Sequence, residues 1–150
     1  MKLTSTAFQH EDQIPVKYTC DGTNTSPPLT ISDIPKGTQS LALVLDDPDC
    51  PKHIKEDGIW DHWVIFNIPP TTTQIEEGNE PQGVHGIGTG KNTAYYGPCP
   101  PDSYHHYYFS VYALDTMLTL EEGATKHQLM QTMKGHILAK AILIGIYGRD

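Results

Sequence analysis

Prolines and glycines interrupt this chain too often for long helices to run: twelve prolines and thirteen glycines are spread over 150 residues. Proline fixes φ and removes a backbone donor, and glycine weakens helix and strand interiors alike, so each interruption favours a turn. The segments between them are β-branched and aromatic. Ser40–Asp47 (SLALVLDD), Trp60–Ile68 (WDHWVIFNI), His105–Leu114 (HHYYFSVYAL) and Lys140–Tyr147 (KAILIGIY) read as the clearest strands, with Leu3–Phe8 and Leu29–Ile34 weaker. One helix stands out. Thr125 and Gln128 have capping-box spacing, and Leu129, Met130, Met133 and Ile137 follow at helical intervals, which predicts a span of about Lys126 to Leu138. The pattern predicts a mostly β fold: a Greek-key β-sandwich of two antiparallel sheets with one peripheral helix in the C-terminal half. No repeat, low-complexity tract or linker divides the chain, so residues 1–150 are expected to form a single domain.

Charge excludes some functions. Ten Lys and Arg stand against eighteen Asp and Glu, for a net charge of −8, and Arg149 is the only arginine. A nucleic-acid binder needs a positive footprint for phosphates, and an anionic membrane surface would repel such a chain. Met1–Gln13 has no apolar stretch of leader length, and runs such as Leu41–Leu45 are too short to span a bilayer. Cys20, Cys50 and Cys99 are odd in number and widely spaced, unlike a disulfide framework. A soluble, reducing, cytoplasmic setting is the expectation, with no cofactor.

Strand alternation then gathers polar groups at one end of the apolar stripes. In Ser40–Asp47 the odd positions Leu41, Leu43 and Leu45 form one face, and Asp47 continues it. In Trp60–Ile68 the even positions Val64, Phe66 and Ile68 form a face that begins with Trp60 and His62. In His105–Leu114, His105 and Tyr107 precede Phe109, Val111 and Ala113. If the first two strands are antiparallel neighbours, the Pro48–Ile59 loop brings Asp47 to His62. Pro48 and Pro51 stiffen that loop, and the segment Gly97–Asp102 shapes the entry to His105. The expected site is a small concave pocket of Asp47, His62, His105 and Tyr107, walled by Trp60 and the Gly97-Pro98-Cys99-Pro100-Pro101 loop. Its imidazoles, tyrosine hydroxyl and loop amides can donate to an anion. Asp47 can orient an imidazole or meet a ligand ammonium. A single histidine at a strand start is more often an ordinary strand residue; the convergence of the set marks a site.

The same residues carry a resemblance. Asp47-Pro48-Asp49-Cys50-Pro51, Trp60-Asp61-His62 and Gly97-Pro98-Cys99-Pro100-Pro101 with His105-His106-Tyr107 resemble the phosphatidylethanolamine-binding protein family, in particular its bacterial and archaeal, Raf-kinase-inhibitor-like branch. Further motifs from Tyr18-Thr19-Cys20-Asp21-Gly22 to Gly135-His136-Ile137-Leu138-Ala139 extend the likeness over nearly the whole chain. The resemblance implies a β-sandwich with an anion pocket that accepts phosphate, acetate or phosphorylated head groups. It puts the family's pocket aspartate on Asp47, its histidines on His62 and His105, its tyrosine on Tyr107, its loop proline on Pro101 and its tryptophan on Trp60. Gly97, Cys99 and Asp49 fall in the supporting loops. Where the family usually has His-Arg, this chain has His105-His106, so an imidazole takes the place of the arginine that partners Asp49. The resemblance also implies a homodimer, and a protein kinase or phosphoprotein as an alternative partner to a small anionic ligand.

Other motifs are weaker. GVHGIGTGKN, residues 83–92, lacks the glycine that a phosphate loop needs at His85, and it has Asn92 where serine or threonine is required. Cys50 with His53, and Cys99 with His105 and His106, lack paired structural-zinc spacing, so no metal is expected. No Gly-x-Ser-x-Gly elbow supports a serine hydrolase. A weak hydrolase or lyase using His62 with Asp47 as an acid/base pair is the remaining enzymatic reading.

Overall fold

A computed structural model describes residues 1–149. Its strands in chain order are β1 (Lys2–Thr4), β2 (Asp12–Gln13), β3 (Leu29–Ser32), β4 (Ser40–Asp47), β5 (Trp60–Ile68), β6 (Gln74–Ile75), β7 (Val84–His85), β8 (His105–Leu114) and β9 (Ile137–Tyr147). Helix α1 (Lys126–Met133) lies between the last two, and Val16–Tyr18 forms a 3-10 turn. A three-stranded sheet, β1-β3-β6, faces a six-stranded sheet ordered β2-β9-β8-β4-β5-β7. After the excursion through β6 and β7, β8 returns to lie on the other side of β4 from β5, a Greek-key type of connection. All pairings are antiparallel except that of the short β2 with β9, which is parallel.

The large sheet is buried on both faces. Leu41, Leu43, Leu45, Ile65, Phe109 and Val111 meet Leu3, Leu29 and Ile31 of the small sheet in the main core. On the outer face Val44, Val64, Phe66, Tyr112 and Leu114 pack beneath Leu129 and Met133 of α1. Burial on both faces explains why β4 reads as a nearly continuous apolar run.

This division corrects the strand alternation. Val64 and Phe66 do not share a face with His62: they lie under the helix, whereas Trp63 and Ile65 enter the sandwich core. Two irregularities in the β4–β5 ladder cause the switch. Leu45 pairs with Trp63 and Asp46 with Asp61, which leaves His62 as the extra residue of a bulge. A second shift lies between Leu41↔Ile68 and Leu43↔Ile65, where Asn67 adopts a left-handed φ of 54° and Ile68 returns to the main core.

The capping box forms as the spacing predicts: the Thr125 side chain accepts from the Gln128 amide, and the Gln128 side chain accepts from the Thr125 amide. The helix is shorter than expected. Gly135 turns the chain at φ 80°, and Ile137 pairs with Leu114 as the first residue of β9 instead of ending the helical stripe. The cysteine expectation also fails. Cys20 and Cys99 form a disulfide, and only Cys50 is a free, buried thiol. That removes the cysteine argument for a reducing, cytoplasmic setting. Among the described residues no helix is long and apolar enough to cross a membrane.

Candidate functional site

The end of β4, the start of β5 and the start of β8 converge at one end of the large sheet, where Asp47 lies opposite Trp60 and Asp46 opposite Tyr108. A cavity of about 210 Å³ opens there, and Asp47, Trp60, His62, Pro101 and His105 line it. Cys50, Ile54, Tyr96 and Cys99 complete its wall. The bulge in β5 is what turns His62 toward this cavity just ahead of Trp63, which enters the core. Tyr107 is fully buried, with its ring centroid 5.5 Å from His62 and 6.3 Å from His105. Among the described residues its hydroxyl finds no partner at hydrogen-bond geometry. Burial, with the charge of Asp47 added, pushes the phenol well above its ordinary range, so it stays a donor.

His105 is held between two carboxylates. Its Nδ1 lies 2.6 Å from Asp47 Oδ2 and its Nε2 lies 2.6 Å from Asp102 Oδ1. Burial pushes the Asp47 carboxyl up, against the pull of its bonds to His105 and the Asp49 amide, but at neutral pH two ionised carboxylates flank the ring. A carboxylate can only accept, so both ring nitrogens donate and the ring is an imidazolium. Burial opposes that charge, but the hydrogen bonds to Asp47 and Asp102 outweigh it and raise the pKa above the ordinary histidine value. The two partners differ in exposure. The Asp47 side chain is 6% exposed and its Oδ1 also accepts from the Asp49 amide, whereas the Asp102 side chain is 53% exposed.

His62 has the opposite protonation. Its Nδ1 lies 2.8 Å from the Tyr96 carbonyl oxygen, which can only accept, so the proton sits on Nδ1. Burial drives its pKa from an ordinary 6.5 down to about 4, the Tyr96 carbonyl partly opposes this, and the nearby His105 charge lowers it further. At neutral pH the ring is therefore uncharged, with an Nε2 lone pair. The two imidazoles thus differ: His105 donates from both nitrogens, whereas His62 donates from Nδ1 to the Tyr96 carbonyl and keeps a lone pair on Nε2.

A stability prediction follows from His62. Below pH 6.5 the unfolded chain takes up a proton that the folded chain refuses until about pH 4. The fold thus loses stability as pH falls through that window, by about 3 kcal/mol in all. Denaturant midpoints at pH 7 and pH 4.5 should drop further for the native chain than for His62→Gln; equal drops would refute the assignment.

The supporting residues surround this centre. Asp49 accepts from the His106 amide at 2.8 Å and from its Nδ1 at 2.7 Å, so the imidazole does stand beside Asp49 on the exposed face of the loop. Burial works against the Asp49 charge, yet these His106 hydrogen bonds hold its carboxyl below the usual range. Gly97 is required by space: a Cβ there would stand 2.1 Å from the Tyr18 carbonyl oxygen. The disulfide from Cys99 to Cys20, with the Cys20 amide donating to the Pro98 carbonyl, ties the cavity wall to the chain after the 3-10 turn.

Asp102, Tyr96, Cys50 and Ile54 escaped the sequence reading. Asp102 carried a usable signal, since it lies three residues before His105 in a proline-shaped loop. Tyr96 acts on His62 through its backbone carbonyl, and its ring stacks on the imidazole at 6.2 Å. No side-chain pattern announces a carbonyl.

The chain matches the family model described as "Phosphatidylethanolamine-binding protein" over residues 4–148. The UPF0098 protein of Chlamydia muridarum is 50% identical over 150 residues, covering 100% of both chains. That of Methanothermobacter thermautotrophicus is 48% identical and covers 99% of each. Among solved structures, the phosphatidylethanolamine-binding protein homologue CT736 of Chlamydia trachomatis has a TM-score of 0.96 at 47% identity, covering 99% of this chain and 97% of that one. YbcL of E. coli, described as a new member of the mammalian PEBP family, has a TM-score of 0.89 at 29% identity, covering 99% of this chain and 98% of that one.

Proposed function

Because this chain belongs to the phosphatidylethanolamine-binding protein family, we propose that its pocket binds a small phosphorylated or otherwise anionic ligand and acts by recognition instead of turnover. The observation that carries this reading is the contact between His105 and Asp102. A buried imidazolium presents its outer N–H to an exposed carboxylate, so one oxyanion of the chain itself already docks at that nitrogen. A ligand oxyanion that replaced Asp102 there would keep the charge-assisted hydrogen bond and gain the cavity walls.

The acid/base reading is less well supported. Asp47 is committed to His105 and to the Asp49 amide, and His62 bonds to a carbonyl, so the two do not form a dyad. His62 is not poised near neutral pH, because burial holds it far below, and both nitrogens of His105 are taken up by carboxylates that raise its pKa.

Calorimetric titration with inorganic phosphate, phosphoethanolamine and phosphotyrosine tests the reading. At least one should bind, and His105→Gln should weaken it by about tenfold or more, the worth of one charge-assisted hydrogen bond. Silence from all three, or equal affinity in the variant, would overturn it. Preference for phosphotyrosine would favour a kinase or phosphoprotein partner, and ester turnover lost in His62→Gln would favour an enzyme.

A further inference from the structure

Resting on that reading, we propose that the pocket prefers a phosphate group that still carries a proton, namely dihydrogen or hydrogen phosphate or a phosphate monoester monoanion, over the fully ionised sulfate. His62 is the residue that makes the choice.

Hydrogen-bond roles in the cavity set this preference. The Tyr96 carbonyl fixes the His62 proton on Nδ1, and among the described residues no carboxylate is hydrogen-bonded to the buried ring to recruit a second proton. The other ring nitrogen is then an acceptor. His105 supplies the donor, its Nε2–H, which Asp102 occupies at 2.6 Å. Asp47 is buried and anchored twice, so it stays; Asp102 is half exposed and can return to water when a ligand oxygen takes its place.

A ligand that satisfies both imidazoles must bring one ionised oxygen for His105 and one O–H for His62. A phosphate group that keeps at least one proton and one ionised oxygen has both. Sulfate at neutral pH has only acceptor oxygens, so it would set lone pair against lone pair at His62 and leave that nitrogen without a partner. An unpaired buried acceptor of this kind lowers affinity by about tenfold to a hundredfold. The O–H also distinguishes this pocket from one built only of cationic donors, which would accept phosphate and sulfate alike.

Titration at pH 6 compares inorganic phosphate with sulfate on the native chain, His62→Gln and Asp102→Asn. Phosphate should bind the native chain at least about tenfold more tightly than sulfate. In His62→Gln, where an amide can turn either its donor or its acceptor to the cavity, that ratio should collapse towards one. In Asp102→Asn the competing carboxylate is gone, so both anions should bind more tightly with the ratio kept. A parallel titration with phosphoethanolamine separates the sources: tighter binding than inorganic phosphate assigns a head group, and weaker binding assigns free phosphate, since both can bring a phosphate O–H to His62. Nitrogen NMR of the imidazoles gives a readout that needs no variant: His62 should carry its proton on Nδ1, and His105 on both nitrogens. Equal native affinities for phosphate and sulfate, a ratio unchanged in His62→Gln, or a His62 proton on Nε2 would overturn the inference while leaving anion binding intact. Failure of phosphate, phosphoethanolamine and sulfate alike to bind the native chain and Asp102→Asn would instead overturn the binding reading on which it rests.

Discussion

Asp47→Ala is expected to destabilise the fold by about 4 kcal/mol, the usual cost of removing one member of a buried ion pair, and to abolish anion binding. The Asp47 and His105 side chains are 6% and 2% exposed, so water cannot replace the lost carboxylate. The Asp49 amide also loses its acceptor at the mouth of the Pro48–Ile59 loop. The penalty should depend on pH, with a sign that follows from His105. The native pKa of His105 is raised above the unfolded value, so its contribution is fully present below about pH 6.5 and fades as pH rises through the raised value. The stability gap between native chain and variant should therefore be larger at pH 6 than at pH 9. Urea unfolding at both values measures it, and a gap that is constant or reversed would refute the imidazolium assignment.

Removing the Cys20–Cys99 bond should have a comparable effect. The two cysteines are 79 residues apart, and closing a loop of that size in the unfolded chain is worth about 4 kcal/mol in the chain-entropy account. The paired variant Cys20→Ser with Cys99→Ser should show this loss in thermal or denaturant unfolding, and adding reductant to the native chain should reproduce it. The consequence extends to the cavity, because Cys99 lines it and Pro98 is bonded to the Cys20 amide. Phosphate affinity should fall with the bond, through loosening of the wall that carries Pro101 and Asp102. Unchanged unfolding midpoints with and without reductant would show that the bond contributes nothing to the fold.

Much of the architecture was readable because strands obey a local rule. The bounds of β4, β5 and β8 follow from β-branched and aromatic runs ending at prolines, glycines and polar loops. The pocket ends of β4 and β8 were readable for the same reason, since Asp47 and His105 each terminate an apolar stripe, while His62 reaches the cavity although the stripe assigned to it lies on the other face. The faces of β5 were not readable. A bulge at His62 shifts the phase of the residues that follow until a second irregularity near Asn67 shifts it back, and nothing in WDHWVIFNI distinguishes such a strand from a regular one when both faces are buried. Ile137 misled for a related reason: its apolar side chain fits a helical stripe or a strand, and Gly135 decides between them.

From residue order alone came the mostly β class, the capped helix, and which polar side chains lie at strand ends, because alternation, turn chemistry and capping act over a few residues. The tertiary structure decided what those side chains do. Cys20 meets Cys99, Asp102 turns back onto His105, and the Tyr96 carbonyl sets the tautomer of His62. The first and last of these contacts join residues far apart in the chain, and the Asp102 contact depends on how a proline loop folds against a buried ring. Protonation follows burial and partners, which only the packed molecule defines. Two histidines of identical composition thus emerge as a cationic donor and a neutral acceptor.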